Sequence, residues 1–149
     1  MKTKPKILPP TYFMLLLILS IVMYFLIPKK IIPSSYTHAG TILIIFGITI
    51  NIWADAIFKK KQTTVKPHET PTSLETTGPF RISRHPMYMG MAAILLGASI
   101  ILGSAITFIF PVIFIILIEI IFIPLEEKNL DKQFNTKYIA YKKKVRRWI

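Results

Sequence analysis

The chain has 149 residues, 52% of them hydrophobic and only 17% charged, with a mean hydropathy of +0.52. That composition excludes a disordered polymer, and its long apolar blocks exclude a small soluble globule. The absence of Cys removes disulfides, thiol nucleophiles and thiolate metal sites, and a net charge of +12 points to anionic lipid headgroups and membrane topology ahead of nucleic acid.

A bilayer core accepts about 20 apolar residues as a helix. Four segments fit: 11–27, 39–58, 87–103 and 105–125. The first follows three lysines like a leader but has no small-residue cleavage site, so it is expected to be retained as a span. The second is polar at few positions, among them Asn51 and Asp55, with Lys59 one turn beyond. The last two meet at Gly103-Ser104, which predicts a tight helical hairpin, and Pro111, Glu119 and Pro124 interrupt the fourth. Of the 19 Lys and Arg residues, all but Lys29 and Lys30 fall on one side of this four-span arrangement. The positive-inside rule therefore puts both termini and the loop 59–86 in the cytosol. The expected fold is an all-α, multi-pass membrane protein forming a single domain, with a prokaryotic plasma membrane as its location. Leu130, Phe134, Tyr138, Tyr141 and Val145 make one apolar stripe, so residues 126–147 are expected to form an amphipathic helix on the membrane surface or over the cytosolic mouth of the bundle.

The chemistry concentrates on the cytosolic side. Pro86 suits the first position of the third span, and Arg81, Arg84 and His85 flank that helix start, which together favour a carboxylate or phosphate. Gly90, one turn in, allows a close approach to backbone, and Tyr88 shares this turn. Glu126-Glu127 follows the fourth span and returns to the same side through the hairpin; it suits a cation or a ribose diol. Glu119 lies seven residues before Glu126, on nearly the same helical face, and is a candidate to pair with Asn51 or stay protonated. Asp55 is read as a partner of Lys59, and His38 and His68 as surface residues. No metal-ligand spacing, phosphate loop or Ser/His/Asp set is present.

These stretches resemble the isoprenylcysteine carboxyl methyltransferase family, within a wider group that includes phospholipid N-methyltransferases. The likeness covers roughly residues 40–149. It rests on the tryptophan-bearing helix and basic segment from Trp53 to Lys66, the Gly78-to-Gly90 signature, Glu126-Glu127 with the spaced Leu130, Phe134, Tyr138 and Tyr141, and the closing Val145-Arg146-Arg147-Trp148. One departure is Asn135-Thr136, where relatives often carry a glycine after the phenylalanine. The resemblance implies a membrane methyltransferase using S-adenosylmethionine. By that analogy His85, Tyr88 and Gly90, with Arg84 close by, form the cofactor site; Glu126 and Glu127 hold its ammonium or ribose hydroxyls; Tyr138 and Tyr141 close over it. A carboxylate of a lipid-like or prenyl-cysteine-like acceptor would need a cationic guide, Arg146 or Arg147. An amine or thiol acceptor would instead need a base, Glu119 or Asp55. The expected reaction is carboxyl O-methylation of such an acceptor; the alternatives are phospholipid N-methylation, small-thiol S-methylation, a nicotinamide-dependent membrane reductase and a non-enzymatic lipid-binding protein. The partners expected are membrane lipid and a lipid-like or small-molecule acceptor, without metal or nucleic acid.

Overall fold

The computed structural model describes residues 7–61 and 72–149. Lys2, Lys4, Lys6, Lys66 and His68 lie outside the described residues. Among the described residues six α-helices follow in order: α1 (Pro9–Leu26), α2 (Thr37–Lys60), α3 (Pro86–Leu102), α4 (Ile109–Leu117), α5 (Ile123–Phe134) and α6 (Thr136–Lys144). Among the described residues there is no strand, only an isolated bridge between Lys30 and Ser104. Pro9–Leu26, Ser34–Lys60 and Ala105–Phe134 are long and apolar enough to cross a bilayer, and α3 is a shorter apolar helix of 17 residues. Leu15 and Ile18 on α1 and Ile42, Ile45 and Ile52 on α2 are exposed along the bundle's outer face. Such continuous apolar exposure suits hydrocarbon, not water.

α2 and α3 run antiparallel and touch through glycine. A Cβ on Gly47 would lie 2.4 Å from the Gly90 carbonyl, and one on Gly40 would lie 2.6 Å from that of Gly97. Each pair is seven residues apart on its helix, two turns, so both glycines face the same seam. Small residues of this kind let two helices meet backbone to backbone where lipid supplies no hydrophobic drive for association. The core proper lies between α1, α3 and α4, around Leu16, Leu95, Phe114, Ile118 and Phe122. Tyr12 meets Phe122 edge to face, with ring centroids 5.7 Å apart.

The α3–α4 hairpin forms as the sequence implies. Gly103 adopts φ +69° and ends α3 in a left-handed cap, its N–H bonding the Ser99 carbonyl at 2.9 Å. Ser99 Oγ donates to Thr107 O at 2.8 Å and Thr107 Oγ1 to Ser104 O at 2.6 Å, which satisfies carbonyls that the turn frees. The segment joining α1 to α2 rests on this turn through Ile31 N–H to Gly103 O, 2.8 Å. Both connections therefore share one end of the bundle, and the start of α1, the end of α2 and the start of α3 share the other.

Two sequence expectations are corrected here. Pro124 does not break the fourth span: the chain runs through α4, a π turn at Ile118–Phe122 and α5. A proline lacks its N–H and crowds the carbonyl four residues back, here that of Ile120. Widening the preceding turn by one residue absorbs both effects without ending the helix. The tail is not one helix over 126–147. It divides at Asn135, which has φ +37°, and α6 ends at Lys144. Asn is among the few residues with a side chain that tolerate positive φ.

Gly47→Val should lower unfolding stability in detergent by about 2 kcal/mol or more, because neither backbone can recede from the added methyls. Asn135→Gly should retain wild-type stability, whereas Asn135→Val should cost about 1–2 kcal/mol. Thermal or denaturant unfolding followed by circular dichroism measures both.

Candidate active site

The site lies at the bundle end that carries the start of α3. A 3₁₀ turn, Gly78–Arg81, seats Phe80 against Phe58 of α2, ring centroids 5.1 Å apart. The following residues, Ile82 to His85, lead into α3, which starts at Pro86. α5 returns to this same end through the hairpin and carries Glu126 and Glu127.

The two charged clusters meet directly. His85 Nδ1 is 3.1 Å from Glu126 Oε2, and Tyr88 donates its hydroxyl to Glu126 Oε1 at 2.5 Å. Arg84 Nη1 is 2.8 Å from Glu127 Oε1, and His85 Nε2 is 3.7 Å from that oxygen. His85 and Tyr88 stack, with ring planes 14° apart. Arg84 Nη1 also donates to the Tyr138 hydroxyl at 3.4 Å, and the Tyr141 hydroxyl donates to the Phe80 carbonyl at 2.6 Å. Burial pushes both phenols above their ordinary range, so they stay neutral. Among the described residues, Arg84 Nε and His85 Nε2 are buried side-chain nitrogens with no hydrogen-bond partner.

A cavity of about 220 Å³ opens beside this lattice. Arg84, His85, Tyr88, Glu126, Tyr138 and Tyr141 line it, together with apolar residues from the start of α1, the end of α2 and α5. Glu75 lines it too, 8% exposed and accepting a hydrogen bond from Ser73 Oγ at 2.8 Å. Sequence reading passed over Glu75 because it sits in a Thr-rich loop with no period and no charged neighbour in sequence; only folding brings it to the cavity.

Other candidates stand elsewhere. Gly90 faces α2, where a Cβ would meet Asn51 Nδ2 at 2.6 Å. Its close approach serves helix packing and not the cavity. Asp55 pairs with Lys59 at 2.6 Å, as its spacing implies. Glu119 does not pair with Asn51: it accepts from Arg147 Nη1 at 2.6 Å and Trp148 Nε1 at 2.9 Å. Arg147 also grips Glu127 with Nε and Nη2, at 3.1 and 2.8 Å. The π turn explains this partner set. Its extra residue rotates α5 so that Glu127, and not Glu126, stands in line with Glu119. Arg146 is exposed, and its carbonyl accepts from Arg84 N–H at 3.0 Å. Neither arginine lines the cavity.

Burial alone would lower the His85 pKa, but hydrogen bonds and charge from Glu126 and Glu127 outweigh it and raise the pKa above 6.5. The ion pair's contribution to stability is therefore complete below pH 6.5 and is lost as pH rises through the higher folded-state value. An NMR titration of the His85 imidazole, assigned by its loss in His85→Gln, should give a midpoint above 6.5. A midpoint at or below 6.5 would mean that desolvation wins.

Residues 36–137 match the family described as phospholipid methyltransferase. An uncharacterised protein of Haemophilus influenzae is 38% identical over 63 residues, which cover 42% of this chain and all of that protein. No solved structure matches.

Proposed function

This chain belongs to the phospholipid methyltransferase family of membrane methyltransferases, and we propose that it uses S-adenosylmethionine to methylate the amine head of a lipid-like acceptor at the cytosolic face of a prokaryotic plasma membrane. The observation that carries this reading is the meeting of Arg84 and His85 with Glu126 at the wall of one cavity, with Glu127 outside the lining and paired to Arg84.

The cofactor carries a carboxylate, an ammonium, a sulfonium and an aromatic base, and the donor set suits it. Arg84 Nε is buried without a hydrogen-bond partner and His85 Nε2 has only its 3.7 Å contact with Glu127, which leaves both available to an anion. Glu126 and Glu75 offer carboxylates to a cation. Phe80, Tyr138 and Tyr141 provide aromatic surface that excludes water. When bound, the cofactor supplies a methyl group already activated on sulfur, so the protein's work is to position the partners and keep water out.

The acceptor reading follows from the cavity's charge. A carboxylate acceptor would meet Glu75 and Glu126 there, while the proposed guide Arg147 is held by two glutamates and Arg146 is exposed. An amine finds Glu75, which can take the proton it must lose, while Glu126 serves the cofactor's ammonium. Glu119 and Asp55, the earlier candidates for that base, are paired outside the cavity. Leu8, Pro9, Leu74 and Leu130 suit an apolar body entering from the lipid.

Calorimetric titration should show that the purified protein binds S-adenosylmethionine and its demethylated product but not NADPH. His85→Ala and Glu126→Ala should each weaken that binding at least tenfold, about 1.4 kcal/mol. Membranes given methyl-labelled cofactor should take up label in an amine headgroup. Label confined to carboxyl esters would overturn the acceptor assignment, and NADPH binding in place of the methyl donor would overturn the activity.

A further inference from the structure

Beyond α6, residues 145–149 cross under the loop that carries Arg84 and His85. Two successive carbonyls of this strap hold that loop. Arg146 O accepts from Arg84 N–H at 3.0 Å, and Arg147 O accepts from Ser83 Oγ at 2.7 Å. Ser83 Oγ in turn accepts from His85 N–H at 3.1 Å, and Ser83 is fully buried. The strap's side chains point the other way. Arg147 binds Glu127 with two nitrogens and Glu119 with the third, and Trp148 donates to the second oxygen of Glu119. Trp148 also packs against the apolar core. Five residues thus contact both charged clusters, one through backbone and the other through side chains.

Glu119 is the fixed point of this arrangement. Both of its carboxylate oxygens are taken by the strap, and it stands on the π turn that brings it into line with Glu127. π turns inside α-helices are frequent where a side chain has to be re-aimed for function. Glu119, Arg147 and Trp148 do not line the cavity, so none of them is placed to touch a ligand there.

We propose that Glu119 is a positioning residue: it anchors the C-terminal strap, and the strap sets the loop of Arg84 and His85 and the carboxylate of Glu127 in the arrangement that binds the methyl donor. Deleting Glu119's charge leaves Arg147 with one carboxylate and leaves a single amide oxygen for Arg147 and Trp148 to share. The strap's hold on the π turn weakens, and the placement of the Arg84 and His85 loop loosens with it. This inference rests on the proposed cofactor site, but its first consequence, the placement of His85, holds with no ligand present.

The test compares wild type with Glu119→Gln, Trp148→Phe and a chain ending at Lys144. Helix content by circular dichroism selects the folded variants, and Trp148→Phe, which removes one donor and keeps the ring, serves if Glu119→Gln fails to fold. Two readouts follow. The His85 NMR titration should move in midpoint or imidazole shift in Glu119→Gln and in the truncated chain. Calorimetric affinity for S-adenosylmethionine should fall about tenfold in both and about threefold in Trp148→Phe. A purely structural role would lower the unfolding temperature and leave both readouts of the folded protein at wild-type values, which would overturn the proposal. If wild type itself fails to bind the methyl donor, the cofactor reading falls; a His85 titration that Glu119→Gln leaves unmoved refutes the strap's part independently.

Discussion

Arg84 and His85 lie side by side with two carboxylates at the end of an apolar bundle, and the four side chains keep less than a fifth of their surface exposed. Removing such groups from water is costly, and only close pairing with hydrogen bonds offsets it. The pairing therefore holds the architecture at this end: it pins the start of α3 to α5 across about forty residues of chain. It also constrains what can bind. A ligand of single charge would strand one partner of a pair. A zwitterion can replace each broken ion pair with another, and methyl donors built on methionine are of that kind.

The rest of the fold follows from a second constraint, that backbone polar groups in lipid need partners within the protein. The α3–α4 turn meets it with Gly103, Ser99 and Thr107. The α2–α3 seam draws the two backbones into contact through four glycines. The turn before Pro124 keeps the helix continuous by becoming a π turn, without fraying it. That last adjustment has a consequence for the site, since it decides which glutamate faces Arg147 and which faces His85. A proline required to be accommodated inside a span thus sorts two adjacent carboxylates into different roles.

These features were unevenly legible in the sequence. Block hydropathy marks the three long apolar helices and the shorter α3, because an apolar run of this length has few other meanings in a chain this short. The hairpin follows from Gly103-Ser104, and the convergence of His85 with Glu126 follows from the hairpin. The π turn did not follow, because helical periodicity assumes a constant number of residues per turn, and Glu119 was accordingly aligned with Glu126 and not with Glu127. The break at Asn135 was half visible: the missing glycine marked the position, but apolar periodicity continues through it. The glycine seam carried a signal that was not used, since Gly40 and Gly47, like Gly90 and Gly97, are spaced by two turns. Glu75 carried no local signal, because its place at the cavity is made only by folding; the closing Val145-Arg146-Arg147-Trp148 stood out by resemblance, but its partners Ser83, Glu119 and Glu127 are distant in sequence.

The placement of the chemistry follows from where the reactants travel. On the proposed reading, a charged methyl donor arrives through water and an acceptor with an apolar body arrives through lipid. They can meet only where a polar lattice borders an apolar wall, at the level of the headgroups. The cavity has both sides: Arg84, His85 and Glu126 on one, and Leu8, Pro9 and Leu130 on the other. Helix ends supply this boundary without cost, because the last polar turn of one helix and the first apolar turn of the next lie there together. That is why residues so far apart as Glu75, His85, Glu126 and Tyr138 can share one cavity wall, and why the tail that seals it has to return to the bundle end and not extend along the membrane surface.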